Sequence, residues 1–239
     1  TIVRSNYCCM KTELAKLGIT SVDGVILDLG VSSVQLDDAG RGFTYREDVP
    51  LDMRMDQTAA LSAYEVVNDY SQAELTRVIR EYGEENFAGL IAREIVRTRT
   101  GTPIETTGQL VSVIKQALPA KALSRKGHPA KQTFQALRIE VNHELDSLQA
   151  GIQQAIELLA SGGRLAVLSF HSLEDEIVKK AFRLAGIPPQ VDRHIPLKAD
   201  QLPQSDYRLI NRRVITAGSA ELENNHRAHS AKLRIIERR

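Results

Sequence analysis

The chain has 239 residues, of which 42% are hydrophobic and 26% are charged. This composition is that of a globular protein with a sizeable core, and it excludes a disordered chain, a collagen and a coiled-coil rod. The 31 Lys and Arg residues nearly balance the 30 Asp and Glu residues, which gives a formal net charge of +1. Any surface that binds nucleic acid must therefore be local.

The sequence lacks membrane and export signals. No apolar run approaches the length of about 18 residues that a membrane span needs, and residues 1–5 do not have the pattern of a signal peptide. Cys8 and Cys9 are adjacent, so they cannot link distant loops and do not have zinc-ligand spacing. We therefore expect a cytoplasmic protein with reduced, structural thiols, without a bound metal and without membrane contact.

The first predicted strand covers residues 24–30, a short apolar run that ends in Asp28, Leu29 and Gly30. Such a run is typical of a buried parallel strand whose carboxyl end opens into a loop. Ligands of α/β proteins bind at these strand ends, so the polar residues that follow are expected to line a crevice. The alternative, that Asp28 only caps a turn, stays open.

Residues 55–125 are predicted to be helical. Ser71 and Glu74 form a capping box, and apolar residues at helical spacing follow them. Two further helices are predicted, the first ending near Gly101 and the second at Pro119. No strand pattern interrupts this region.

The second half of the chain alternates between helix and strand, which predicts an α/β fold. One long helix is predicted over residues 134–159, followed by a buried strand over 164–170. The next helix is predicted to be capped by Ser172, with Asp175 at its third position. The remaining predicted elements are a loop at 188–203 and closing strands at 208–215 and 232–236.

Residues 106–139 form a basic stretch that contains no acidic residue. A loop beginning at His128 joins this stretch to the long helix and is followed by Phe134. A basic loop with one aromatic residue at a helix N-terminus suits a phosphate backbone with a stacked base. The alternative, a solvated linker, stays open. The cations concerned are Lys115, Lys121, Arg125, Lys126, Lys131 and Arg138.

Two catalytic motifs are present only in part. Residues 30–34 lack the second glycine that the nucleophile elbow of a serine hydrolase requires. His143 is followed by Ser147 where a helical zinc site needs its second histidine, so His143 is expected to be a solvated helix residue. His171 follows the second strand without a capping explanation, which makes it a candidate functional residue. A hydrolase built from Ser32 and His171 is one alternative function.

Eight sequence blocks resemble a known family. They are DLGVSSVQLD at 28–37, RGF at 41–43, PLDMRMD at 50–56, YGEE at 82–85, HPA at 128–130, TFQALRI at 133–139, VNHEL at 141–145 and SFHSLED at 169–175. In this order they closely resemble the bacterial 16S ribosomal RNA cytosine-N4 methyltransferase family, also called RsmH or MraW. The resemblance implies a Rossmann-like fold with a helical insertion that uses S-adenosylmethionine to methylate a decoding-region cytidine of the small ribosomal subunit.

The resemblance also implies a domain arrangement and cofactor contacts. The methyltransferase domain is expected at residues 1–52 and 128–239, and the helical domain at 53–127. Cofactor contacts are implied at Tyr7, Asp28 and Gln35. The family carries a glycine-rich cofactor loop upstream of the part seen here, so the chain resembles a family member that lacks this loop. A catalytically silent RNA-binding remnant is therefore the alternative reading.

The cytosine N4 amine is a poor nucleophile, so the protein has to align it and accept a hydrogen bond from it. Asp28 stands at the strand end where many amino-methyltransferases place an Asp/Asn-Pro-Pro-Tyr loop, and it faces either the cofactor or the amine. The candidate catalytic residues are Asp28, Ser32, Asn142 and His171, with Ser169 beside them. The candidate RNA-binding residues are Phe43, as the stacking aromatic, and Arg125, Lys126, His128, Lys131 and Arg138.

Overall fold

The computed structural model describes residues 1–124, 126–189 and 203–239. The chain forms two compact units, one made of Thr1–Gly30 with Leu145–Arg239 and the other of Val31–Glu144. The first carries the β-sheet and is called the sheet unit, and the second is called the helical unit. The fold is α/β with a helical insertion, as the sequence predicts.

The elements in the described ranges are as follows. The helices are α1 (Met10–Lys16), α2 (Ser33–Asp37), α3 (Ala63–Asp69), α4 (Gln72–Glu81), α5 (Ala88–Arg99), α6 (Thr107–Ala117), α7 (Ala120–Leu123), α8 (Lys131–Asn142), α9 (Glu144–Leu158), α10 (Ser172–Ala185) and α11 (Ser219–Asn224). The strands are β1 (Val22–Asp28), β2 (Leu159–Ser169), β3 (Tyr207–Leu209), β4 (Ile215–Thr216) and β5 (Lys232–Arg238). Short 3-10 helices cover Tyr7–Cys9, Ala39–Arg41 and His226–Ser230.

The sheet has the strand order β1-β2-β5-β3, and β4 also pairs with β5. β1 runs parallel to β2, with Asp28 opposite Leu168. β5 is antiparallel to β2, β3 and β4. Leu27 on β1, Val167 on β2 and Phe182 on α10 belong to one buried apolar cluster that holds this unit together.

The helical unit has a core of its own. Buried residues of α3, α4, α5, α6 and α8 form it, together with residues from the loop before α3. Gly83 follows α4 and lies against α8, because a Cβ atom there would come within 2.6 Å of the Gln132 carbonyl oxygen. Only glycine permits this close approach of the turn to α8.

The helices predicted between residues 55 and 125 are confirmed. The Ser71 hydroxyl accepts the N–H of Glu74 at 3.3 Å, and the Glu74 carboxylate accepts the N–H of Ser71 at 2.8 Å. This is the predicted capping box at the start of α4. Leu118 ends α6, directly before Pro119, as the sequence indicates.

The single helix predicted over residues 134–159 is wrong, since the structure has two. α8 ends at Asn142, and His143 adopts a left-handed conformation with a φ angle of 48° before α9 begins. The apolar spacing continues on both sides of the break, from Val141 to Leu148, and therefore hides it. His143 is exposed, as expected, but it ends a helix instead of lying within one.

The second predicted strand begins earlier than residue 164. β2 starts at Leu159, and the register of its pairing with β1 shifts between Val22 and Gly24. Gly162 has a φ angle of 79°, so it accommodates an irregularity within an extended strand. The glycines that predict a helix stop therefore mark an irregularity in the pairing of β2 with β1.

The predicted cap of α10 is also displaced by one residue. His171, not Ser172, occupies the N-cap position, and Glu174, not Asp175, is the third residue of the helix. The Glu174 carboxylate accepts the N–H of His171 at 3.2 Å. His171 therefore has a structural role that its sequence context did not reveal.

Of the two predicted closing strands, the one at 232–236 is confirmed and the one at 208–215 is divided in two. Residues 208–215 form two short strands, β3 and β4, because the side chain of Asn211 interrupts the ladder. Its Oδ1 accepts the Ile235 N–H at 2.7 Å and its Nδ2 donates to the Leu233 carbonyl at 3.0 Å. Most of the loop predicted at 188–203 lies outside the described residues.

The helical unit extends beyond the predicted segment 53–127 at both ends. Phe43 and Leu51 precede that segment and Phe134 follows it, and all three are buried in the core of the helical unit. Packing therefore assigns the loop before α3 and all of α8 to this unit.

Candidate active site

The carboxyl ends of β1 and β2 lie side by side in the sheet unit. The two strands are parallel neighbours, and the Leu29 N–H donates to the Leu168 carbonyl at 3.1 Å, one residue beyond Asp28. Asp28 is exposed, whereas Ser169 is 1% exposed. The prediction that the polar residues after both strands share one crevice requires β1 and β2 to be neighbours. The structure shows that they are neighbours.

His171 follows β2 and is held by Glu174. The imidazole Nε2 lies 3.2 Å from Glu174 Oε1, and the side chains are 9% and 3% exposed. The other oxygen of Glu174 accepts the Phe170 N–H at 2.7 Å. The buried carboxylate therefore fixes the backbone of residues 170 and 171, whereas both ring nitrogens of His171 are buried without a hydrogen-bond partner within the described residues.

Asp175 anchors α10 to β5. Its carboxylate accepts hydrogen bonds from Arg234 Nε at 2.6 Å and Nη2 at 3.1 Å. Burial raises the pKa of Asp175, but the hydrogen bonds of Arg234 and the charges of Arg234, Lys232 and Lys179 together outweigh it, so the pKa lies below its ordinary value. This pair stabilises the helix that follows the strand end.

Tyr7 lies in a segment that is docked on α9. A Cβ atom at Gly151 would overlap the Tyr7 ring, so the glycine makes room for the aromatic side chain. The Lys11 N–H donates to Gln154 Oε1 at 2.9 Å, and the Gln154 amide donates to the Cys8 carbonyl. These contacts fix the backbone that follows the tyrosine.

Ser32 and Gln35 belong to the helical unit and cap α2. The Ser32 hydroxyl accepts the Gln35 N–H at 3.2 Å, and Gln35 Oε1 accepts the Ser32 N–H at 2.9 Å. This capping box uses the side-chain oxygen of Gln35. The N–H groups of its side-chain amide remain available to other acceptors.

Asn142 binds the loop formed by residues 50–56. Its Oδ1 accepts the Met55 N–H at 2.6 Å, and its Nδ2 donates to the Met53 and Arg138 carbonyls at 2.8 Å each. Met53 is 1% exposed and has a φ angle of 60°. The amide of Asn142 thus holds the loop in a strained conformation.

The same loop is also stabilised by a pair within it and by a close approach of Gly42. The Asp52 carboxylate accepts hydrogen bonds from Arg54 N and Nε at 2.9 Å each and from Nη2 at 2.8 Å. These bonds from Arg54 hold the pKa of Asp52 below its ordinary value. Gly42 approaches so closely that a Cβ atom there would lie 2.6 Å from the Pro50 carbonyl oxygen.

Phe43 and Arg138 are engaged inside the helical unit. Phe43 is 9% exposed in the core, which leaves little of its ring to stack on a base. Arg138 Nε and Nη2 donate to the two carboxylate oxygens of Glu144 at 2.7 and 2.9 Å. This bidentate pair leaves Arg138 with fewer donors for RNA phosphates than the sequence suggested.

Lys126, His128 and Lys131 come together around a cavity of about 380 Å³. His128 stacks on Tyr45 with ring centroids 4.3 Å apart and an interplanar angle of 10°. Burial and the nearby charge of Lys115 lower the pKa of His128 below its ordinary value. Arg125, which the sequence placed with this group, lies outside the described residues.

The chain was compared with known proteins. The sequence profile of the MraW methylase family matches residues 1–239. This chain belongs to the MraW methylase family. The ribosomal RNA small subunit methyltransferase H of Lactobacillus delbrueckii subsp. bulgaricus is 52% identical over 237 residues, which are 99% of this chain and 75% of the relative. The enzyme of that name from Exiguobacterium sibiricum is 50% identical over 238 residues, 100% of this chain and 76% of the relative.

Membership of the MraW family confirms the resemblance stated from the sequence blocks and makes the chain a methyltransferase. The fold agrees with the Rossmann-like class that this family implies. Among the helices in the described ranges, none has both the length and the apolar character that crossing a bilayer requires.

Sequence reasoning missed three residues at these places in the MraW fold. Glu174 lies in the SFHSLED block, but the sequence assigns it no role. In the structure its carboxylate lies against His171. Tyr45 was not singled out, because nothing local indicates that it stacks on a residue far along the chain. Gly83 lies in the YGEE block, and its close contact with α8 becomes visible only in three dimensions.

Proposed function

We propose that this chain methylates the N4 exocyclic amine of a cytidine in the decoding region of 16S ribosomal RNA, with S-adenosylmethionine as methyl donor, in the cytoplasm. The observation that carries the proposal is the parallel pairing of β1 and β2, which brings Asp28 and the segment before His171 to one end of the sheet. The names of its relatives, which specify ribosomal RNA of the small subunit, support the substrate class.

The side chains of the predicted cofactor contacts suit S-adenosylmethionine. Asp28 offers an exposed carboxylate with no hydrogen-bond partner within the described residues, which suits hydroxyl or ammonium donors. Tyr7 offers a fixed aromatic ring, and Gln35 retains its amide hydrogens for an acceptor. When bound, the cofactor supplies a methyl group that its sulfonium already activates, so no metal is required.

The residues of this chain contribute alignment and charge. The lone pair of the cytosine amine is delocalised into the ring, so the nitrogen becomes nucleophilic only as it pyramidalises. We assign to Asp28 the hydrogen bond that accepts an amine N–H during this change, or the hydrogen bond that orients the cofactor. In both cases the carboxylate acts from the end of β1.

Ser32, Asn142 and His171 act as positioning residues in this proposal. Ser32 caps α2, Asn142 holds the loop formed by residues 50–56, and His171 is itself held by Glu174. Ser32 and Asn142 therefore set the backbone of segments that belong to the family's sequence blocks, and Glu174 sets the backbone at His171. Small displacements of such segments lower turnover because the reacting atoms lose their alignment.

Asp28→Asn tests the proposal, with Asp23→Asn as the matched control because both are exposed carboxylates on β1. We expect Asp28→Asn to lower methylation of the small-subunit RNA by roughly 100-fold or more, while Asp23→Asn keeps wild-type turnover. Calorimetry with S-adenosylmethionine then assigns the role: weakened binding places Asp28 on the cofactor, and unchanged binding places it on the amine.

Wild-type turnover in Asp28→Asn contradicts the role given to this carboxylate. If the wild-type chain binds the RNA but neither binds the cofactor nor transfers a methyl group, the chain is an RNA-binding remnant. That result overturns the proposed activity.

A further inference from the structure

The cavity of about 380 Å³ in the helical unit is formed by three segments. Gly83 and Glu84 come from the turn after α4, residues 126–128 from the loop before α8, and Lys131, Gln132 and Gln135 from α8 itself. Ligand pockets commonly measure about 300 to 1,000 Å³, so this volume suits a ligand of one nucleotide and not a longer strand.

The cavity walls are cross-linked by hydrogen bonds. Gln132 Nε2 donates to the Glu84 carbonyl at 3.1 Å, and Gln135 Nε2 donates to the Tyr82 carbonyl at 2.9 Å. Gly83 packs directly on the Gln132 carbonyl oxygen. These contacts hold the turn against α8, so the cavity is preorganised and little ordering free energy is lost when it fills.

The charge of the lining residues suits one phosphodiester. Lys126 and Lys131 contribute two positive charges and Glu84 one negative charge, which leaves a net charge of +1. Both lysines have no ion-pair partner within the described residues. Burial and the charge of Lys115 lower the pKa of His128 below its ordinary value, which favours the neutral imidazole.

The first turn of α8, where Lys131 and Gln132 line the cavity, has N–H groups without acceptors among the described residues. Ala130 is the N-cap residue and has no side chain that could cap the helix. Within the described part of the chain, the N–H groups of Gln132 and Thr133 have no hydrogen-bond acceptor. Free amides at a helix N-terminus attract anions, and here they lie beside two lysines that line a cavity.

His128 offers an aromatic surface in the cavity wall. Tyr45 covers one face of its ring, and the Ala130 N–H donates to its Nδ1 at 3.3 Å. In the neutral ring the proton therefore sits on Nε2. The ring is fixed by these two contacts and still lines the cavity, where its uncovered surface can stack on a base.

We propose that this cavity holds one nucleotide of the bound RNA, with its phosphate between Lys126 and Lys131 and its base against His128. The inference rests on the proposed function, because that function supplies the RNA. It goes further in assigning a separate nucleotide subsite to the helical unit, made by the turn after α4, the loop 126–128 and α8.

The binding of small probes tests the subsite in the full chain. Cytidine 5′-monophosphate, cytidine and inorganic phosphate are titrated at low salt and followed by backbone NMR shifts. We expect saturable shifts for the monophosphate, centred on residues 126–135, and roughly tenfold weaker binding of cytidine, which lacks the charged partner of the lysines. Inorganic phosphate is also expected to bind more weakly than the monophosphate, because it has no base.

Lys131→Gln and Lys121→Gln form a matched pair. Both remove one charge from exposed lysines of the same basic stretch, but only Lys131 lines the cavity. We expect Lys131→Gln to weaken binding of the monophosphate by roughly tenfold and Lys121→Gln to change it less than twofold. His128→Phe, which keeps an aromatic ring, should retain the preference for the monophosphate over phosphate, and His128→Ala should lose it.

The subsite is contradicted if Lys131→Gln and Lys121→Gln weaken binding of the monophosphate equally. It is also contradicted if the NMR shifts spread outside residues 126–135. Binding of a small-subunit RNA fragment and its methylation are measured in parallel with the wild-type chain. RNA binding and methylation without monophosphate binding refute the subsite alone. Monophosphate binding without RNA binding or methylation refutes the proposed function and leaves a free nucleotide as the ligand.

Discussion

At the scale of single residues, backbone-binding side chains dominate the helical unit. Asn142 illustrates this, since one amide side chain binds three backbone groups, two of them in the loop formed by residues 50–56. The loop contains Met53, whose positive φ angle is unfavourable for a residue with a Cβ atom. The conformation persists because Asn142 and Arg41 bind the loop from outside and the Asp52–Arg54 pair stabilises it from within.

Asn142→Asp should lower the free energy of unfolding and also lower methyl transfer. The substitution replaces an N–H donor by an oxygen that faces two carbonyl groups, which costs about 1 to 3 kcal/mol. Asn68 binds the backbone of Tyr64 and Ile104 in the same way, so Asn68→Asp is the matched control. Urea unfolding should show both losses, whereas methylation by the folded protein should fall only for Asn142→Asp. Equal activity in both variants contradicts the positioning role.

Asp52→Asn should destabilise the protein in a pH-dependent manner. Since Arg54 lowers the pKa of Asp52 in the folded state, the ionised carboxylate stabilises the fold above its unfolded value of 3.8, and this contribution is lost as the pH falls through the folded value. We expect a loss of about 1 to 3 kcal/mol at pH 7 that shrinks below pH ~4. Urea titrations from pH 7 to 3 measure it, with the exposed Asp69→Asn as control. A difference that is constant over this range argues against the ion pair.

At the scale of elements, the sheet places the candidate site. The parallel pairing of β1 with β2 is what brings Asp28 to the same sheet end as the segment before His171. α10 then begins at Ser172, with His171 as its N-cap, and is tied to β5 by Asp175 and Arg234. The site therefore depends on a pairing that joins two distant parts of the sequence.

Ile26→Lys should reduce self-association of the protein. Among the described strands β1 lies at one end of the order, and Ile26 is 78% exposed on it. An apolar edge strand pairs readily with other chains, and a lysine opposes this. Val34 is also 78% exposed but lies on α2, so Val34→Lys is the control. Light scattering against concentration should fall only for Ile26→Lys, and an equal fall in both would show that exposure alone matters.

At the scale of the whole molecule, charge has to be concentrated to bind RNA. The net charge of +1 gives no general attraction to a polyanion, so the affinity must come from patches such as the cavity lined by Lys126 and Lys131. Each phosphate contact releases condensed counterions, and the salt dependence of binding counts these contacts.

The double variant Lys126→Gln, Lys131→Gln should bind small-subunit RNA more weakly at low salt and shrink the slope of log affinity against log salt by up to about two. Cofactor affinity should stay unchanged. The double variant Lys179→Gln, Lys180→Gln removes the same charge from exposed positions of α10 and should keep the slope. If the first variant keeps both affinity and slope, the RNA surface lies elsewhere, and the exposed arginines Arg208, Arg212 and Arg213 become the candidates.

The sequence by itself determined the elements whose signals are local. The strand before Asp28, the capping box at Ser71 and the helices up to Pro119 follow from apolar spacing, caps and breakers, which act over a few residues. The family was also determined, because its blocks are long and occur in order.

Tertiary structure alone decided the features that depend on distant contacts. The break at His143 interrupts an unbroken apolar pattern, and the irregularity at Gly162 occurs where β2 pairs with β1. The hydrogen bonds of Asn142 join residues far apart in sequence. The stacking of His128 on Tyr45 and the three segments that line the cavity also depend on distant contacts. Local propensity contains no term for such contacts, because their free energy arises only when packing brings the partners together.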